Sequence, residues 1–486
     1  MTTQIATERN RWIALLVLCT GMLMIVLDAT VVNVALPSIQ DDLGFSQSSL
    51  AWVVNAYLIT FGGLLLLAGR LGDLISRRGM FLSGLVVFTL ASLACGLAQT
   101  QAMLVGARFI QGVGGAMTSA VVLGMIFTMF PEPREQAKAM GVFSFVASGG
   151  GSVGLIAGGV LTDAISWHWI FFVNIPIGIV TAIAARQYVA ADRGEGFGKG
   201  ADILGALLST GALMLLVFTI VKPAAEDGWG ATMTLACVTG AVLLGIAFVA
   251  REASAANPLI PLRIFRSKTI AAANAIQALL VAGMFGTFFM GSLYLQRILH
   301  YSPLQIGLAF LPLTLVMGIV SLRYSEGLIM RFGPRRTLVP GMSLVLLGLL
   351  LFARTPVDGT YLADIFPTML LIGLGFAITG PSLVTLAMSG ADPQEAGLAS
   401  GLINTTTQVG GALGLAVLAT LAATRTQHLH DAGQSVTSAL NGGYHLGYLI
   451  AAGLTFGALV IAAVVLRERG EEAVAMSRDA ACAEAA

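Results

Sequence analysis

Leu27-Asp28-Ala29-Thr30-Val31-Val32-Asn33-Val34-Ala35-Leu36-Pro37 puts a carboxylate inside the first long apolar run, roughly 12–37. A helix needs ~20 apolar residues to cross a bilayer, so this run is long enough. Taking Pro37 as the outer end, Asp28 lies roughly 14 Å down the axis at ~1.5 Å per residue. A carboxylate at that depth costs ~3 kcal/mol on insertion scales, and such residues face the protein interior or a water-filled cavity. Asp28 is therefore expected on a proton or solute pathway, against the plainer alternative of an Asp held in a fixed polar contact.

Working outward, the composition agrees. The chain has 486 residues, 56% hydrophobic and 10% charged. Soluble domains carry ~25% charged residues, so the chain is expected to be an integral membrane protein embedded in a lipid bilayer. A net charge of +1 gives no nucleic-acid signal. The cysteines Cys19, Cys95, Cys237 and Cys482 show neither metal spacing nor a disulfide pattern. There are five histidines, and His428, His430 and His445 are placed together in a polar connection before the last run. No metal or nucleophile constellation emerges, which argues against a polytopic membrane enzyme. Residues 1–11 are a short polar lead-in and the first run is too long for a signal-peptide core, so no cleavable signal is expected.

Fourteen apolar runs have spanning length: roughly 12–37, 50–69, 80–99, 102–128, 138–161, 169–187, 203–221, 232–250, 270–295, 305–328, 337–353, 364–389, 397–422 and 446–466. Of the 26 Lys and Arg residues, twenty fall on the side shared by the termini, four on the other side and two within spans. The positive-inside rule then puts both termini in the cytoplasm. The charged segments 188–202 and 251–269 divide the chain into a six-run unit (12–187), a two-run insert (203–250) and a second six-run unit (270–466). The tail 467–486 is charged and Ala-rich, and is expected to be disordered.

Five further stretches carry chemistry. Gly69-Arg70-Leu71-Gly72-Asp73-Leu74-Ile75-Ser76-Arg77-Arg78 joins runs two and three, and Gly327-Leu328-Ile329-Met330-Arg331-Phe332-Gly333-Pro334-Arg335-Arg336 joins runs ten and eleven at the equivalent place. Two parallel six-helix repeats are a transporter arrangement. Leu104-Val105-Gly106-Ala107-Arg108-Phe109-Ile110-Gln111-Gly112 sets Arg108 roughly 10 Å into run four. Asp28 and Arg108 thus lie at comparable depth and can meet if their helices are neighbours; snorkelling of Arg108 to the outer face is the competing reading. Gly150-Gly151-Ser152-Val153-Gly154-Leu155-Ile156-Ala157-Gly158-Gly159 lines Gly150, Gly154 and Gly158 along one helix face, where small residues let helices approach closely. Trp167-His168-Trp169 is read as an interfacial aromatic belt, with His168 structural.

These motifs together resemble the major facilitator superfamily, in particular its fourteen-span drug:proton antiporter group of the EmrB/QacA type. The Leu27–Pro37 pattern is specific to that group. The resemblance implies an all-α major facilitator fold: two six-helix bundles, two linker transmembrane helices, and a cavity between the bundles. It implies proton coupling through Asp28 and Arg108, and a conformational latch of Asp73 with Arg70, Arg77 and Arg78. Gly150, Gly154, Gly158 and Gly159 would form the antiporter glycine face. Ser76 stands where the family has Gly, and Leu155 where it has Pro.

Candidate cavity-lining residues are Asn33, Asn55, Tyr57, Gln111, Gln277, Phe285, Phe289, Asn404 and Gln408, with Met284, Phe288 and Met290 as an adaptable apolar wall. Arg323 and Glu326 are spaced to pair on one helix face and are read as a gating pair. An arginine nearby favours an ionised carboxylate and burial favours a neutral one, so movement between such environments loads and releases a proton. The expected function is proton-coupled efflux of small apolar or cationic molecules across the plasma membrane. The proton gradient would be the energy source, with no cofactor and no nucleic-acid partner. Oligomeric state stays open, a monomer being sufficient. The alternatives are a dedicated exporter of one endogenous metabolite, an uptake carrier, a channel and a membrane enzyme.

Overall fold

The computed structural model describes residues 8–194, 196, 202–222, 224, 228–255, 258–389 and 396–465. Its long helices are α1 (Glu8–Leu43), α2 (Trp52–Leu74), α3 (Arg77–Gly96), α4 (Gln101–Met129), α5 (Pro133–Ala164), α6 (Asn174–Tyr188), α7 (Ile203–Val221), α8 (Thr232–Ser254), α9 (Lys268–Arg297), α10 (Pro303–Val320), α11 (Pro334–Phe352), α12 (Phe366–Ser389), α13 (Ala396–Asp431) and α14 (Val436–Val465). Among the described residues, 13 helices are long and apolar enough to cross a membrane; α5 is not among them, although it has 32 residues. In hydrocarbon every backbone polar group must be bonded within the protein, and a helix does this within one segment.

The ends are set locally. Ser76, Thr100 and Ser267 accept the first free N–H groups of α3, α4 and α9, and Ser302 with Gln305 forms a reciprocal capping box on α10. Gly333 turns the chain into α11 at φ 81°, a conformation that costs a glycine nothing.

Four boundaries differ from the sequence reading. α1 runs through Pro37 to Leu43, so Asp28 is deeper from the helix end than the reckoning from Pro37 gave. The sixth run is a short helix Trp169–Phe172 followed by α6. α10 passes through a π-helical turn, Ser321–Ser325, into a short helix, Glu326–Phe332. α13 carries His428 and His430, while His445 lies within α14 with Nε2 2.7 Å from the Thr355 carbonyl, so the three are not in one loop.

α3 and α2 pack on α4, α5 packs on α1, and α6 fills the space between α1 and α3. In the second half α11 packs on α12, α9 on α13 and α14, and α10 on α12. The halves meet along two main seams, α5 with α10 and α2 with α13, and α1 touches α9. The pair α7–α8 lies outside, with α7 against α2 and α13. Only 17% of the most apolar stretch of α8 is buried, against 83% for α2, so α8 is a lipid-boundary helix and α2 a central one. The charged tail falls outside the described residues.

Candidate functional site

Asp28 and Arg108 meet. Arg108 Nη1 donates to Asp28 Oδ2 at 2.5 Å, with the two side chains 1% and 0% exposed. The pair is both direct and bridged: the same Nη1 donates to Gln111 Oε1 at 2.7 Å, and Gln111 Nε2 donates to Asp28 Oδ1 at 2.7 Å. Arg108 Nε donates to the Val53 carbonyl at 2.9 Å, and its guanidinium lies 4.4 Å from the centre of the Tyr57 ring. Gln111 also donates to Ser92 Oγ at 2.8 Å, and Asn174 Nδ2 reaches Asp28 Oδ1 at 3.3 Å. Five helices, α1, α2, α3, α4 and α6, therefore contribute to one network around the Asp28–Arg108 pair. A buried ion pair survives only when its remaining donors and acceptors are satisfied, and this network does that. The snorkelling alternative for Arg108 is excluded by its burial.

Neither Ser92 nor Asn174 was singled out from the sequence. Ser92 is a small hydroxyl on a mostly apolar helix, and Asn174 stands at the start of α6 beside the aromatic belt. The only signal for Asn174 was an amide immediately before an apolar run.

The network is enclosed within the first half rather than in the space between halves. Gln111 and Tyr57 belong to it, and Asn55 of α2 is fully buried. The Asn55 side chain, the Tyr57 hydroxyl and Asn174 Oδ1 are buried without a hydrogen-bond partner among the described residues. Other cavity candidates scatter. Asn33 donates to its own helix at Ala29, and Gln277 donates to Thr407 at 2.9 Å. Gln408 packs against Gly62 across the α2–α13 seam, and Phe285 packs against Gly411. Asn404 is exposed. Phe289 is 1% exposed and sits in the hydrophobic core, as does Met290, so neither lines a cavity.

The glycine face divides between two partners. A Cβ at Gly150 would meet Leu23 at 2.9 Å, one at Gly154 the Thr30 side chain and the Leu27 carbonyl, and one at Gly158 the Val31 Cα at 2.9 Å. These three hold α5 against the stretch of α1 that carries Asp28. Gly159 instead faces α10, where a Cβ would meet Leu304 Cα at 2.8 Å. In return, Gly307 of α10 packs on the Leu155 carbonyl, and Ser152 Oγ donates to Thr314 Oγ1 at 2.8 Å. Leu155 thus sits in an unbroken helix at the seam.

Two ties at the Arg297 end of α9 also bind the halves. Arg297 pairs with Asp41 and donates to Gln40 Oε1 at 3.2 Å, and Ser302 Oγ donates to Asp163 Oδ2 at 3.3 Å. The sequence reading had not singled out Asp41 or Asp163.

The latch differs from its expectation. Asp73 pairs with Arg77 alone, at 2.8 Å; Arg70 and Arg78 form no ion pair with it. Arg77 also reaches the far end of α4, at Thr128 Oγ1 (3.0 Å) and the Gly124 carbonyl (3.3 Å). The second anion is Asp192, which accepts from Ser76 Oγ, Arg77 N and Arg78 N at 2.7, 2.7 and 3.1 Å. Partial burial pushes the Asp192 carboxyl up, but these hydrogen bonds outweigh it and hold it below the usual carboxylate range. Ser76 caps α3 through its hydroxyl, a bond that a glycine cannot make. Arg323 lies in the exposed π-helical turn, and the Glu326 side chain falls outside the described residues, so the gating pair is not seen.

Two lobes of membrane-length helices joined by two seams, with a satisfied ion pair buried in one lobe, define a multi-pass membrane transporter. The Major Facilitator Superfamily model matches residues 18–415, and the chain belongs to that superfamily, whose members are transporters rather than enzymes. Relatives include the puromycin resistance protein pur8 of Streptomyces alboniger, 38% identical and covering 94% of this chain and 91% of that one. The cephamycin export protein CmcT of Amycolatopsis lactamdurans is 40% identical and covers 85% of each. Among solved structures, a bacterial homologue of the human lysosomal transporter Spinster superposes with a TM-score of 0.67 at 16% identity, covering 94% of this chain and 97% of that one.

Proposed function

We propose that the protein is a proton-coupled exporter of small apolar or cationic compounds that works by alternating access. In this reading all fourteen long helices cross the plasma membrane, both termini are cytoplasmic, and the order is six helices, a two-helix insert, and six helices. The observation that carries the reading is the enclosed Asp28–Arg108–Gln111 network. Asp28 is the only acidic side chain in it. Proton arrival at Asp28 neutralises the carboxylate and releases Arg108 from its ion pair. The Val53 carbonyl, Gln111 and the Tyr57 face then hold the guanidinium. The unpartnered atoms of Asn55, Tyr57 and Asn174 are the places where a second arrangement gains bonds. The glycine face transmits the change, because α5 rests on α1 around Asp28 through Gly150, Gly154 and Gly158 and on α10 through Gly159. A buried charge pair with two arrangements is a bistable element of the kind alternating access requires.

The names of the relatives support export. They divide between single antibiotics, as in the cephamycin export protein, and a multidrug resistance protein from Mycobacterium tuberculosis. That division favours a second reading, a dedicated exporter of one compound. The test is transport into inverted vesicles made from expressing cells. Labelled puromycin or a cationic dye enters when the lumen is acidic and stops entering when a protonophore dissipates the gradient. Entry that ignores the gradient overturns proton coupling. A susceptibility panel with and without expression separates a broad from a single-compound exporter.

A further inference from the structure

A cavity of about 930 Å³ lies outside the Asp28 network, between the two-helix insert and the α2–α13 seam. Its walls are Leu66 of α2, Leu213 of α7, Val249 of α8, Ala278 of α9 and Leu402 of α13, and Leu259 and Ile260 close one end. Its polar contributions are the hydroxyl residues Ser209, Thr405 and Thr406, and the Thr405 hydroxyl is buried without a partner. The volume is at the upper end of the ~300–1,000 Å³ range of small-molecule pockets. No carboxylate lines it, so a cationic compound finds no counter-charge there. One wall is α8, the helix least buried by protein, so the space borders the hydrocarbon.

The segment that follows Ile260 adds a second, independent feature. The 3-10 turn Leu262–Arg266 leads directly into α9, with Leu262 39% and Phe265 40% exposed. Arg266 and Lys268 are exposed beside them, and neither forms an ion pair among the described residues. Exposed apolar side chains followed by exposed cations are the pattern of a strap lying at the hydrocarbon–headgroup boundary, where basic residues attract anionic lipid.

We propose that the cavity holds one acyl chain of an anionic phospholipid drawn from the leaflet that the strap faces, with its phosphate against Arg266 and Lys268. The chain enters over α8 and lies against α2 and α13, so the lipid touches both halves and the insert at once. The insert then has a definite task, which is to hold this lipid on a seam that must slide. The inference stands on the cavity and the strap and does not depend on proton coupling.

The test is native mass spectrometry of the full chain released from nanodiscs of phosphatidylglycerol or phosphatidylcholine with identical acyl chains. One phosphatidylglycerol per chain is expected to survive activation that strips the other lipids. Gly245 lines the cavity and a Cβ there meets nothing within 4 Å, so Gly245→Phe adds bulk to this wall, and retention is expected to fall about tenfold. Val249→Trp, from a half-exposed position on the same helix, carries the same expectation if the first variant fails to fold. Arg266→Gln with Lys268→Gln is expected to keep one lipid bound but lose the preference for phosphatidylglycerol. Equal retention of both lipids by the unaltered chain, or unchanged retention in a folded cavity-filling variant, overturns the proposal. So does stoichiometric displacement of the lipid by tetraphenylphosphonium, which would make the cavity a lateral entrance for substrate.

Discussion

The two halves follow one packing plan and bury opposite chemistry. In α1–α6 the interior holds an aspartate, an arginine and a glutamine in mutual hydrogen bonds. In α9–α14 the corresponding depth is filled by Leu280, Met284, Phe288, Phe310 and Met369 around a cleft of about 10 Å³, room for little more than one water. Near Arg297, a pile of Tyr294, Phe352 and Tyr448 closes the second half, with the last two rings stacked at 4.4 Å. The turns differ too. The first copy is held by Asp73, Asp192 and the Ser76 cap; the second turns at Gly333 and bonds Arg335 to the Ala463 carbonyl at 2.8 Å. One half thus buries a hydrogen-bonded ion pair, and the other a close-packed apolar interior. Equal folds need not share the work equally.

The largest expected effect tests that asymmetry directly. Asp28→Asn should reduce gradient-driven transport to the level of membranes without the protein. A conservative change in the second half, Phe289→Leu, should leave transport within about twofold while costing ~1–2 kcal/mol of packing. Normal pumping by the Asp28 variant would remove the distinction.

Stability sharpens it next. Asp28→Asn leaves Arg108 buried and uncompensated, a loss of ~3–5 kcal/mol when one partner of such a pair is removed. Adding Arg108→Gln should recover more than half of that in thermal melting while transport stays absent. Strict additivity of the two changes would mean that the pair is not coupled.

A smaller effect is expected where the halves touch. Gly307→Ala pushes a methyl group onto the Leu155 carbonyl, and overpacking of this kind costs ~1–3 kcal/mol. It should loosen the α5–α10 seam, raising the labelling rate of a cysteine placed at Asp163 by an impermeant maleimide. An unchanged rate would show that this contact does not hold the seam.

The smallest belongs to Asp192. Its carboxyl is held below the usual range, so its contribution is complete above the unfolded value and is lost as pH falls through the lowered one. The difference in melting between the unaltered chain and Asp192→Ala should therefore stay constant between pH 5 and 8 and narrow only below about pH 4. The variant itself should cost ~1 kcal/mol at pH 7, the size of a lost helix cap. Narrowing near neutral pH would mean that the carboxyl is raised instead.

Much of this was legible beforehand, residue by residue. The cost of a charge in hydrocarbon marked Asp28 and Arg108, because nothing but a partner or water makes such a group tolerable. The four-residue spacing of Gly150, Gly154 and Gly158 announced a close helix contact, although not with which helix. Phe289 misled because an aromatic side chain in a membrane helix reads the same whether it lines a cavity or fills a core. Asp192 stayed hidden because it lies in an ordinary charged loop, and only the return of that loop to the start of α3 gives it donors. The proline at position 37 suggested a helix end, but α1 continues through it to Leu43, since membrane helices tolerate an internal proline.

The sequence by itself determined that this is a membrane-embedded helical carrier with an acid where hydrocarbon tolerates none, since run length and charge placement are local quantities that a bilayer reads directly. Only the tertiary structure decided what surrounds that acid, because its partners lie 80, 83 and 146 positions away along the chain. Contacts at that separation are set by how whole helices pack, and no local pattern records which faces will meet.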